Sequence, residues 1–473
     1  MTDKSSMPSE AIETYRDALR AIWLRSAYDR GFISNPFWGD EAANLGLKRT
    51  EVLLDMLGRP HEQFPIIHVA GSKGKGSTCA FAASIGTAAG YRTGLYTSPH
   101  LHAFRERIAI GGVPISEESF TQIARNVLSV VEELERERDE LGEVTAFELV
   151  TAMAFLFFAN EGSDLAVIEV GMGGTLDATN VVDPVVSVIT ALDFEHTRVL
   201  GLTLAEIAAN KAGIIKQGRP VVSLAQEPES LRVIDKTARK KESRLLLAGR
   251  DWTASGNWQD FEVSTPWGRF EQLRASLPGD HQVQNAGAAV VSTLLLNEIG
   301  GEVSESAIKE GLATAVWPGR FEVVQLAGQP RFILDGAHTP ASARAFAQAV
   351  LAEDANSNRA VVIGMMAEKD PGDFARELAV LNAPIIVTAS KSPRAASIPN
   401  VRAGVEAAGL QTTSASDVQS ALSAASKVVG VKGTVIVTGS LAIVAEAREA
   451  LGLAVPDPAV DDEAFAQTGI VHE

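Results

Sequence analysis

Short aliphatic runs alternate with longer amphipathic stretches along most of the chain. Such runs, bounded by Gly, Ser or Asp, are typical of parallel strands buried on both faces. They predict strands at Phe64–Ala70, Thr93–Thr97, Leu165–Val170, Val185–Thr190, Phe332–Leu334, Ala360–Ile363, Ala383–Thr388 and Thr434–Thr438. The stretches between them predict helices at Thr78–Ala89, Ser116–Glu137, Phe147–Asn160, Leu204–Ala212 and Ala341–Glu353. This alternation indicates βαβ units in doubly wound sheets.

The pattern changes at two places along the 473 residues, a length that favours more than one domain. Residues 230–275 contain scattered polar positions and hairpin-like segments at Trp252–Trp258 and Phe261–Phe270, which predict a small antiparallel region. Pro318-Gly319 then interrupts regular structure, and a second α/β series follows. We predict an N-terminal domain (1–316), a linker (317–321), a C-terminal domain (322–455) and an acidic tail (456–473).

Composition limits the classes of function. The net charge of −17 argues against a nucleic-acid-binding protein, which needs a basic face. The N-terminal residues lack the apolar segment of a signal peptide, and no run of about 18 apolar residues predicts a membrane span. The single cysteine, Cys79, excludes an intramolecular disulfide. We therefore expect a cytoplasmic protein that binds neither nucleic acid nor membrane.

A glycine-rich loop, Gly71-Ser-Lys-Gly-Lys-Gly-Ser-Thr78, lies between a predicted strand and a predicted helix. The backbone N–H groups of such a loop, together with the helix N-terminus, face a phosphate. Lys75 would reach the β- and γ-phosphates, with the Ser77 hydroxyl nearby. A glycine separates the two, unlike the common G-x-x-x-x-G-K-[ST] spacing. The fold class predicted is therefore α/β: a P-loop-type doubly wound, mostly parallel sheet with a small antiparallel subregion, plus a second, smaller Rossmann-like α/β domain.

Polar residues follow other predicted strands at their carboxyl ends, where ligands of open α/β sheets bind. Ser98 follows one strand, Glu169 ends another, and Asp193, Glu195 and His196 follow a third. With the phosphate loop, these segments would form one ATP–Mg²⁺ site. A carboxylate inside an aliphatic strand is costly to bury without a partner, so magnesium is the preferred explanation of Glu169. A turn cap would equally explain Ser98, and a surface loop position would equally explain His196.

Lys211 lies near the end of the predicted helix Leu204–Ala212. Its position alone predicts a solvated lysine or one that caps the helix C-terminus. Nothing in the local pattern selects Lys211 as a functional residue.

A series of motifs extends in one order from about Leu45 to about Leu441. It comprises GSKGKGS, LYTSPHL, RERIAI, TAFE, EVGMGGTLDATN, HTRVLG, NKAGIIK, HQVQNA, WPGRFE, LDGAH, EKD and VTGSL. On these motifs the chain resembles the folylpolyglutamate synthase/dihydrofolate synthase family of the Mur ligase superfamily. The resemblance implies an ATP-dependent ligase that adds L-glutamate to folates, and also to dihydropteroate, through an acyl phosphate. It also suggests a monomer.

The resemblance implies roles for the residues that match these motifs. The implied ATP contacts are Ser72, Lys73, Gly74, Lys75, Gly76, Ser77, Asn285, Arg320 and Asp335. The implied magnesium ligands are Ser98, Glu169 and His196. The implied catalytic residues are Lys75, Lys211, Arg320 and His338, of which Lys211 matches a lysine that the family carbamylates. The implied folate contacts are Thr145, Phe147, Glu148, Asp177 and Ala178. Ordinary core and loop positions explain Glu148 and Ala178 as well.

The chain departs from the family pattern at several positions. Ser72 and Lys73 replace Thr and Asn of the usual GTNGKGS loop, and the lysine adds positive charge near the phosphates. The other departures are Thr175 for Arg, Glu195 for Asp and Thr339 for Asn. Thr175 bears on the folate side more than on the ATP chemistry.

Three alternatives stay open at the level of sequence. The chain would be a folylpolyglutamate synthase only, another Mur-type amino-acid ligase, or a P-loop regulator without enzymatic activity. Mur-type ligases usually carry a separate N-terminal domain for a UDP moiety, and little chain precedes Gly71. A regulator would need the phosphate loop but not Arg320, Asp335 and His338, so these residues favour a ligase.

Overall fold

The computed structural model of the chain describes residues 7–25, 40–353 and 358–458, without the side chains of residues 40–44 and 198. These residues form two larger sheets, each with apolar cores on both faces, and a small antiparallel sheet. None of the helices within these ranges combines the length and the apolar character that crossing a membrane requires.

Within the described residues, the first sheet has eight strands. They are β1 (Ile66–Ala70), β2 (Thr93–Tyr96), β3 (Ile108–Ile110), β4 (Val113–Pro114), β5 (Leu165–Glu169), β6 (Val186–Ile189), β7 (Val221–Ser223) and β8 (Leu245–Leu247). Their order is β4-β3-β2-β5-β1-β6-β7-β8. Strands β2, β5, β1, β6, β7 and β8 pair in parallel, and β3 and β4 add an antiparallel edge.

Helices cover both faces of the first sheet. They are α1 (Tyr15–Leu24), α2 (Asp40–Met56), α3 (Lys75–Ala88), α4 (Glu117–Glu137), α5 (Ala146–Asn160), α6 (Thr197–Leu200), α7 (Leu204–Lys211), α8 (Pro228–Lys240), α9 (Asp280–Leu294) and α10 (Glu305–Thr314). Successive residues of a strand point to opposite faces. Ile67 therefore packs with α3, α9 and α10, and Ile66 packs with α1, α4 and α5. Burial on both faces explains why these strands are aliphatic throughout.

The predicted antiparallel region forms a separate three-stranded sheet. Its strands are β9 (Thr253–Asn257), β10 (Asp260–Thr265) and β11 (Gly268–Leu273), in the order β11-β10-β9. Trp252 and Phe261 join the core beneath α9. The hairpin-like segment Phe261–Phe270 corresponds to most of β10, the turn and the first residues of β11.

The second larger sheet comprises β12 (Glu322–Gln325), β13 (Arg331–Leu334), β14 (Arg359–Ile363), β15 (Ile385–Val387), β16 (Thr412–Ser414) and β17 (Thr434–Thr438). Its order is β12-β13-β17-β14-β15-β16, and only the edge strand β12 pairs antiparallel within the described residues. Its helices are α11 (Pro340–Glu353), α12 (Pro371–Leu378), α13 (Ile398–Ala407), α14 (Val418–Val429) and α15 (Leu441–Ala450). One face packs against α11, α12 and α13, and the other against α14 and α15.

The predicted fold class is confirmed, and every predicted strand is present. The boundaries differ by at most two residues, since β1 begins at Ile66 rather than Phe64 and β15 at Ile385 rather than Ala383. The segment predicted as a linker connects α10 to β12. At the predicted tail, Asp457 accepts hydrogen bonds from the Tyr15 hydroxyl at 2.8 Å and from Phe104 N at 2.6 Å. Residues 459–473 of that tail lie outside the described residues.

Candidate active site

The carboxyl ends of β5, β1 and β6 lie side by side at one edge of the first sheet. The phosphate loop, residues 71–78, leaves β1 there and is hydrogen-bonded to the segment after β6. The N–H groups of Ser72 and Lys73 each donate to Ala191 O at 3.0 Å, and Ser72 Oγ donates to Asp193 O at 2.9 Å. Two of the predicted site segments are thus held together by their backbones.

Two glycines let other elements pack closely against the phosphate loop. Gly74 has a left-handed φ of 86°, and a Cβ there would lie 2.3 Å from Asn285 Oδ1. A Cβ on Gly76 would lie 2.7 Å from Trp317 Cζ2. Helix α9 and the segment after α10 therefore contact the loop at distances that only glycine allows.

The side chains of the phosphate loop are held by hydrogen bonds. Lys75 Nζ donates to Gly71 O at 3.0 Å. The buried Ser77 Oγ accepts a hydrogen bond from Gln282 Nε2 at 3.3 Å, and Asn285 Nδ2 donates to Gln282 Oε1 at 2.9 Å. The predicted nucleotide contact Asn285 is therefore linked to Ser77 through Gln282, a residue of the HQVQNA motif to which the sequence assigned no role.

Glu169 is buried at the end of β5, with 4% of its surface exposed. Burial raises the pKa of its carboxyl group, whereas the nearby cations Lys75 and Arg320 lower it. Its Oε2 accepts a hydrogen bond from Ser98 N at 3.1 Å. This bond holds the predicted ligands Ser98 and Glu169 together. The positive charge of Lys75 favours the ionised form of Glu169.

The donor set fits a magnesium ion that is bound mainly through nucleotide phosphates. Within the described ranges, no three His, Cys, Asp or Glu side chains gather closely enough to hold a metal by themselves. Mg²⁺ needs only one or two carboxylates when phosphates supply the remaining oxygens. Glu169 and the neighbouring Ser98 meet that requirement. His196 is exposed at the start of α6, with Glu195, Lys75 and Lys211 among its charged neighbours.

Lys211 is buried behind the phosphate loop, with 2% of its surface exposed, so the prediction of a solvated or helix-capping lysine is wrong. Its ammonium donates to Gly71 O at 2.8 Å and to Glu195 Oε1 at 2.9 Å. Burial lowers the pKa of Lys211 to about 8. Burial opposes ionisation of Glu195 as well, but Lys75 and Lys211 hold the pKa of Glu195 below its usual value.

The second sheet contributes Asp335 at the end of β13. Its two carboxylate oxygens accept hydrogen bonds from Phe321 N and Ala337 N, both at 2.8 Å. Burial raises the pKa of Asp335, and the guanidinium of Arg320 opposes that rise. Asp335 therefore holds the backbone of the linker at Phe321 and of the loop after β13 at Ala337, beside Arg320.

His338 lies in the loop after β13. Its Nδ1 is 2.9 Å from Gly336 O, which can only accept, so Nδ1 carries a proton and Nε2 is the free nitrogen. Burial lowers the pKa of His338, and Lys73, Lys369 and Arg320 lower it further. Lys73 belongs to the phosphate loop, so a cation of the first sheet lies close enough to His338 of the second sheet to act on it electrostatically.

Comparison with known proteins reveals the family of the chain. Residues 69–293 match the Mur ligase middle domain, and residues 319–441 match the Mur ligase, glutamate ligase domain. A dihydrofolate synthase/folylpolyglutamate synthase of Bacillus subtilis (strain 168) is 37% identical over 359 residues, which span 74% of this chain and 82% of the relative. The chain belongs to the folylpolyglutamate synthase/dihydrofolate synthase family.

Solved structures of this family share the fold. Mycobacterium tuberculosis folylpolyglutamate synthase complexed with ADP and AMPPCP has a TM-score of 0.79 and 30% identity, covering 90% of this chain and 100% of that chain. E. coli FolC in complex with DHPP and ADP has a TM-score of 0.75 and 32% identity, covering 86% and 93%. As a member of the folylpolyglutamate synthase/dihydrofolate synthase family, the chain is an ATP-dependent ligase that acts on small molecules. The predictions of the family and of this enzyme class are confirmed.

Two of the residues that the family resemblance assigns to folate, Phe147 and Ala178, lie beside the loop after β5. Phe147 is half-buried on α5, and a Cβ on Gly171 would lie only 2.4 Å from its Cζ. Its ring centroid is 6.2 Å from that of Tyr96. Ala178 is buried in the short 3₁₀ turn that follows the loop after β5. An aromatic face therefore borders the loop after β5.

Thr145 and Glu148 have structural partners. The Thr145 hydroxyl accepts a hydrogen bond from Glu148 N at 3.3 Å, and Thr145 N donates to Glu148 Oε2 at 3.0 Å, which caps α5. Glu148 also forms a two-bond ion pair with the buried Arg49, at 2.7 and 2.6 Å. These contacts favour the core explanation for Glu148, and the sequence did not single out Arg49.

Asp177 is buried and shapes the loop after β5. One carboxylate oxygen accepts from Met172 N at 2.9 Å, and the other accepts from the N–H and hydroxyl of Thr179. Burial raises the pKa of Asp177. His68 Nε2 is 2.9 Å from the Thr179 hydroxyl. That hydroxyl uses its only proton on Asp177, so His68 Nε2 must donate. The sequence signal for His68 was its place in an otherwise aliphatic strand.

Proposed function

We propose that this ligase adds L-glutamate to folates and also to dihydropteroate, through an acyl phosphate made from ATP. The nucleotide would lie in a cleft between the phosphate loop, Glu169 and Ser98 of the first sheet and Arg320 and His338 of the second. The observation that supports this placement is electrostatic: Arg320 lowers the pKa of Glu169, and Lys73 lowers the pKa of His338. The Bacillus subtilis relative is named for both activities. A P-loop regulator would not need the groups of the second sheet.

The first step joins the substrate carboxylate to phosphate. A carboxylate oxygen attacks the γ-phosphorus, and the bond to the β–γ bridging oxygen breaks as ADP leaves. Lys75 and Arg320 offset the negative charge on the transferred group. Ser98, Glu169 and His196 would hold Mg²⁺, which would supply positive charge to offset that of the phosphates.

The second step forms the amide. The amino group of glutamate attacks the acyl carbon, the bond to the phosphate oxygen breaks, and phosphate leaves. The nitrogen must lose a proton as the amide forms. His338 suits that task because its Nδ1–H is held by Gly336 O and its lowered pKa keeps Nε2 unprotonated.

The division into domains is part of the proposal. We place the boundaries at 1–316, 317–321 and 322–455, because each larger sheet has its own cores and no strand is shared among the described residues. ATP held by groups of both sheets would keep the cleft closed, and closure protects the acyl phosphate from water. The monomeric state and the cytoplasmic location stay predictions, as does carbamylation of Lys211.

Substitution of Lys75 or Glu169 tests the assignment of the cleft. We expect Lys75→Met and Glu169→Gln to lower kcat for glutamate addition by roughly a hundredfold or more, because each removes charge that acts on the transferred phosphoryl group. Both variants should keep the circular-dichroism spectrum of the unmodified protein. The assay follows phosphate release with dihydropteroate and, separately, with a reduced folate monoglutamate.

Lys309→Met is the matched control, because Lys309 lies on α10 and pairs with Glu305 of the same helix. It should leave kcat unchanged. Normal turnover by Lys75→Met or Glu169→Gln would contradict the site assignment. Turnover of the unmodified protein with only one of the two acceptors would reduce the proposal to a single activity.

A further inference from the structure

The loop that follows β2 makes direct contact with the second sheet. This segment, Ser98–Arg107, is called the bridging loop below. Leu101 packs against the apolar core beneath α15. The side chain of His102 is 3% exposed, and its Nε2 lies 2.9 Å from Arg448 Nε of α15. A loop of the first sheet is therefore held by a charged side chain of the second.

The Arg448 contact fixes the protonation of His102. A guanidinium N–H can only donate, so His102 Nε2 accepts and carries no proton. The remaining ring proton is on Nδ1, which faces Glu449 Oε1 at 3.4 Å. His102 is thus a neutral imidazole held in one tautomer between two residues of α15.

Arg448 also connects to the segment that carries Arg320. Its guanidinium contacts Glu322 Oε1, and Glu322 Oε2 accepts a hydrogen bond from Gly319 N at 2.9 Å. The side chains of Arg448 and Glu322 are 11% and 22% exposed. At the other end, Ser98 N donates to Glu169 at 3.1 Å. One continuous set of contacts therefore joins the proposed magnesium ligands to the linker.

We propose that His102, Arg448 and Glu322 form a relay that positions the bridging loop against the linker, so that the two halves of the nucleotide site are assembled before ATP binds. His102 and Arg448 are positioning residues, since they act through Ser98 and Arg320. This inference rests on the proposed function, because it assumes that the nucleotide lies in this cleft.

Loss of the relay should act on nucleotide affinity. Without Arg448, the bridging loop and the linker lose their common partner, because Arg448 contacts both His102 and Glu322. Part of the binding free energy of ATP must then restore the arrangement, which weakens apparent affinity. Saturating ATP restores it fully, so kcat should change little while the KM for ATP rises.

The test is calorimetric titration of the full chain with a non-hydrolysable ATP analogue and Mg²⁺. Arg448→Met and His102→Leu should each weaken binding on the order of tenfold. The double variant should be no weaker than either single variant, since both break one relay. His102→Gln offers an amide oxygen near the position of Nε2, and it should bind the analogue as tightly as the unmodified protein.

Arg25→Met is the matched control for loss of a buried ion pair. Arg25 pairs with Glu135 of α4, and the two side chains are 10% and 24% exposed, close to the values for Arg448 and Glu322. This variant should lower the melting temperature as Arg448→Met does, yet keep the unmodified affinity for the analogue.

Three results would overturn the relay. They are unchanged affinity in Arg448→Met, an equal loss of affinity in Arg25→Met, and a His102→Gln variant as weak as His102→Leu. Failure of the unmodified protein to bind the analogue is a different result. It would overturn the proposed function, and the relay with it.

Discussion

Lys211 and Glu195 show how single residues in this cleft depend on their surroundings. The ammonium of Lys211 lies between Gly71 O and Glu195 Oε1. Sequence alone predicted a solvated or helix-capping Lys211, because its burial comes from the packing of α7 behind a loop some 140 residues earlier. Glu169 was identified correctly as unusual, because a carboxylate at the end of a fully buried strand is visible in the sequence.

The lowered pKa of Lys211 makes its carbamylation testable. Carbon dioxide reacts with a neutral amine to give a carbamate and a proton, and a pKa of about 8 leaves about half of the amines neutral at pH 8. We predict a carbamate signal from ¹³C-bicarbonate in NMR that grows as the pH rises through about 8.

The Glu195→Gln variant sharpens this experiment. Glu195 raises the pKa of Lys211, and its charge would repel a carbamate, so Glu195→Gln should increase the signal at every pH below 8. Lys211→Ala should abolish it. A carbamate signal that survives in Lys211→Ala, or no signal from the unmodified protein at any pH, would contradict the prediction.

At the scale of elements, the strands were predictable and several of their contacts were not. Strands such as β1 and β17 are buried on both faces, so their aliphatic runs mark them clearly. The edge strand β12 was missed, because its residues alternate between exposed and buried and it is only four residues long. The close packing of α3 against α9 and Trp317 was not predictable, because these segments lie far apart in the chain.

Gly76 tests the close packing at the start of α3. A Cβ there would lie 2.7 Å from the Trp317 ring, so Gly76→Ala should displace the linker. We expect nucleotide affinity to fall about tenfold and the free energy of unfolding to fall by about 1–3 kcal/mol. Calorimetric titration and urea unfolding measure the two quantities.

Gly372→Ala is the matched control, because Gly372 occupies the same second position of α12. A Cβ there would lie 3.3 Å from Asp370 Oδ1 and 3.4 Å from Gly404 O, so its neighbours must move by only a few tenths of an ångström. This variant should keep the nucleotide affinity of the unmodified protein and lose less stability than Gly76→Ala, because alanine favours the helix and offsets part of the cost of the contact. Equal behaviour of the two alanine variants would show that the contact with Trp317 is unimportant.

At the scale of the whole molecule, the sequence predicted two α/β units but not how they meet. The interruption at Pro318-Gly319 indicated where the series change, and the ordered motifs indicated which residues would converge. The contacts that join the units include pairs such as His102 with Arg448, which are 346 positions apart. No local pattern encodes such pairs, since each residue taken alone resembles an ordinary surface histidine or arginine.

The most direct measurement of the central claim is the product of the unmodified protein with ATP, Mg²⁺, L-glutamate and a reduced folate monoglutamate. Mass spectrometry should find the acceptor extended by one glutamyl residue, with one phosphate released for each residue added and none released when glutamate or acceptor is omitted. Phosphate release that does not depend on glutamate, or an acceptor left unextended while ATP is consumed, would contradict the account of this cleft as a glutamate ligase site.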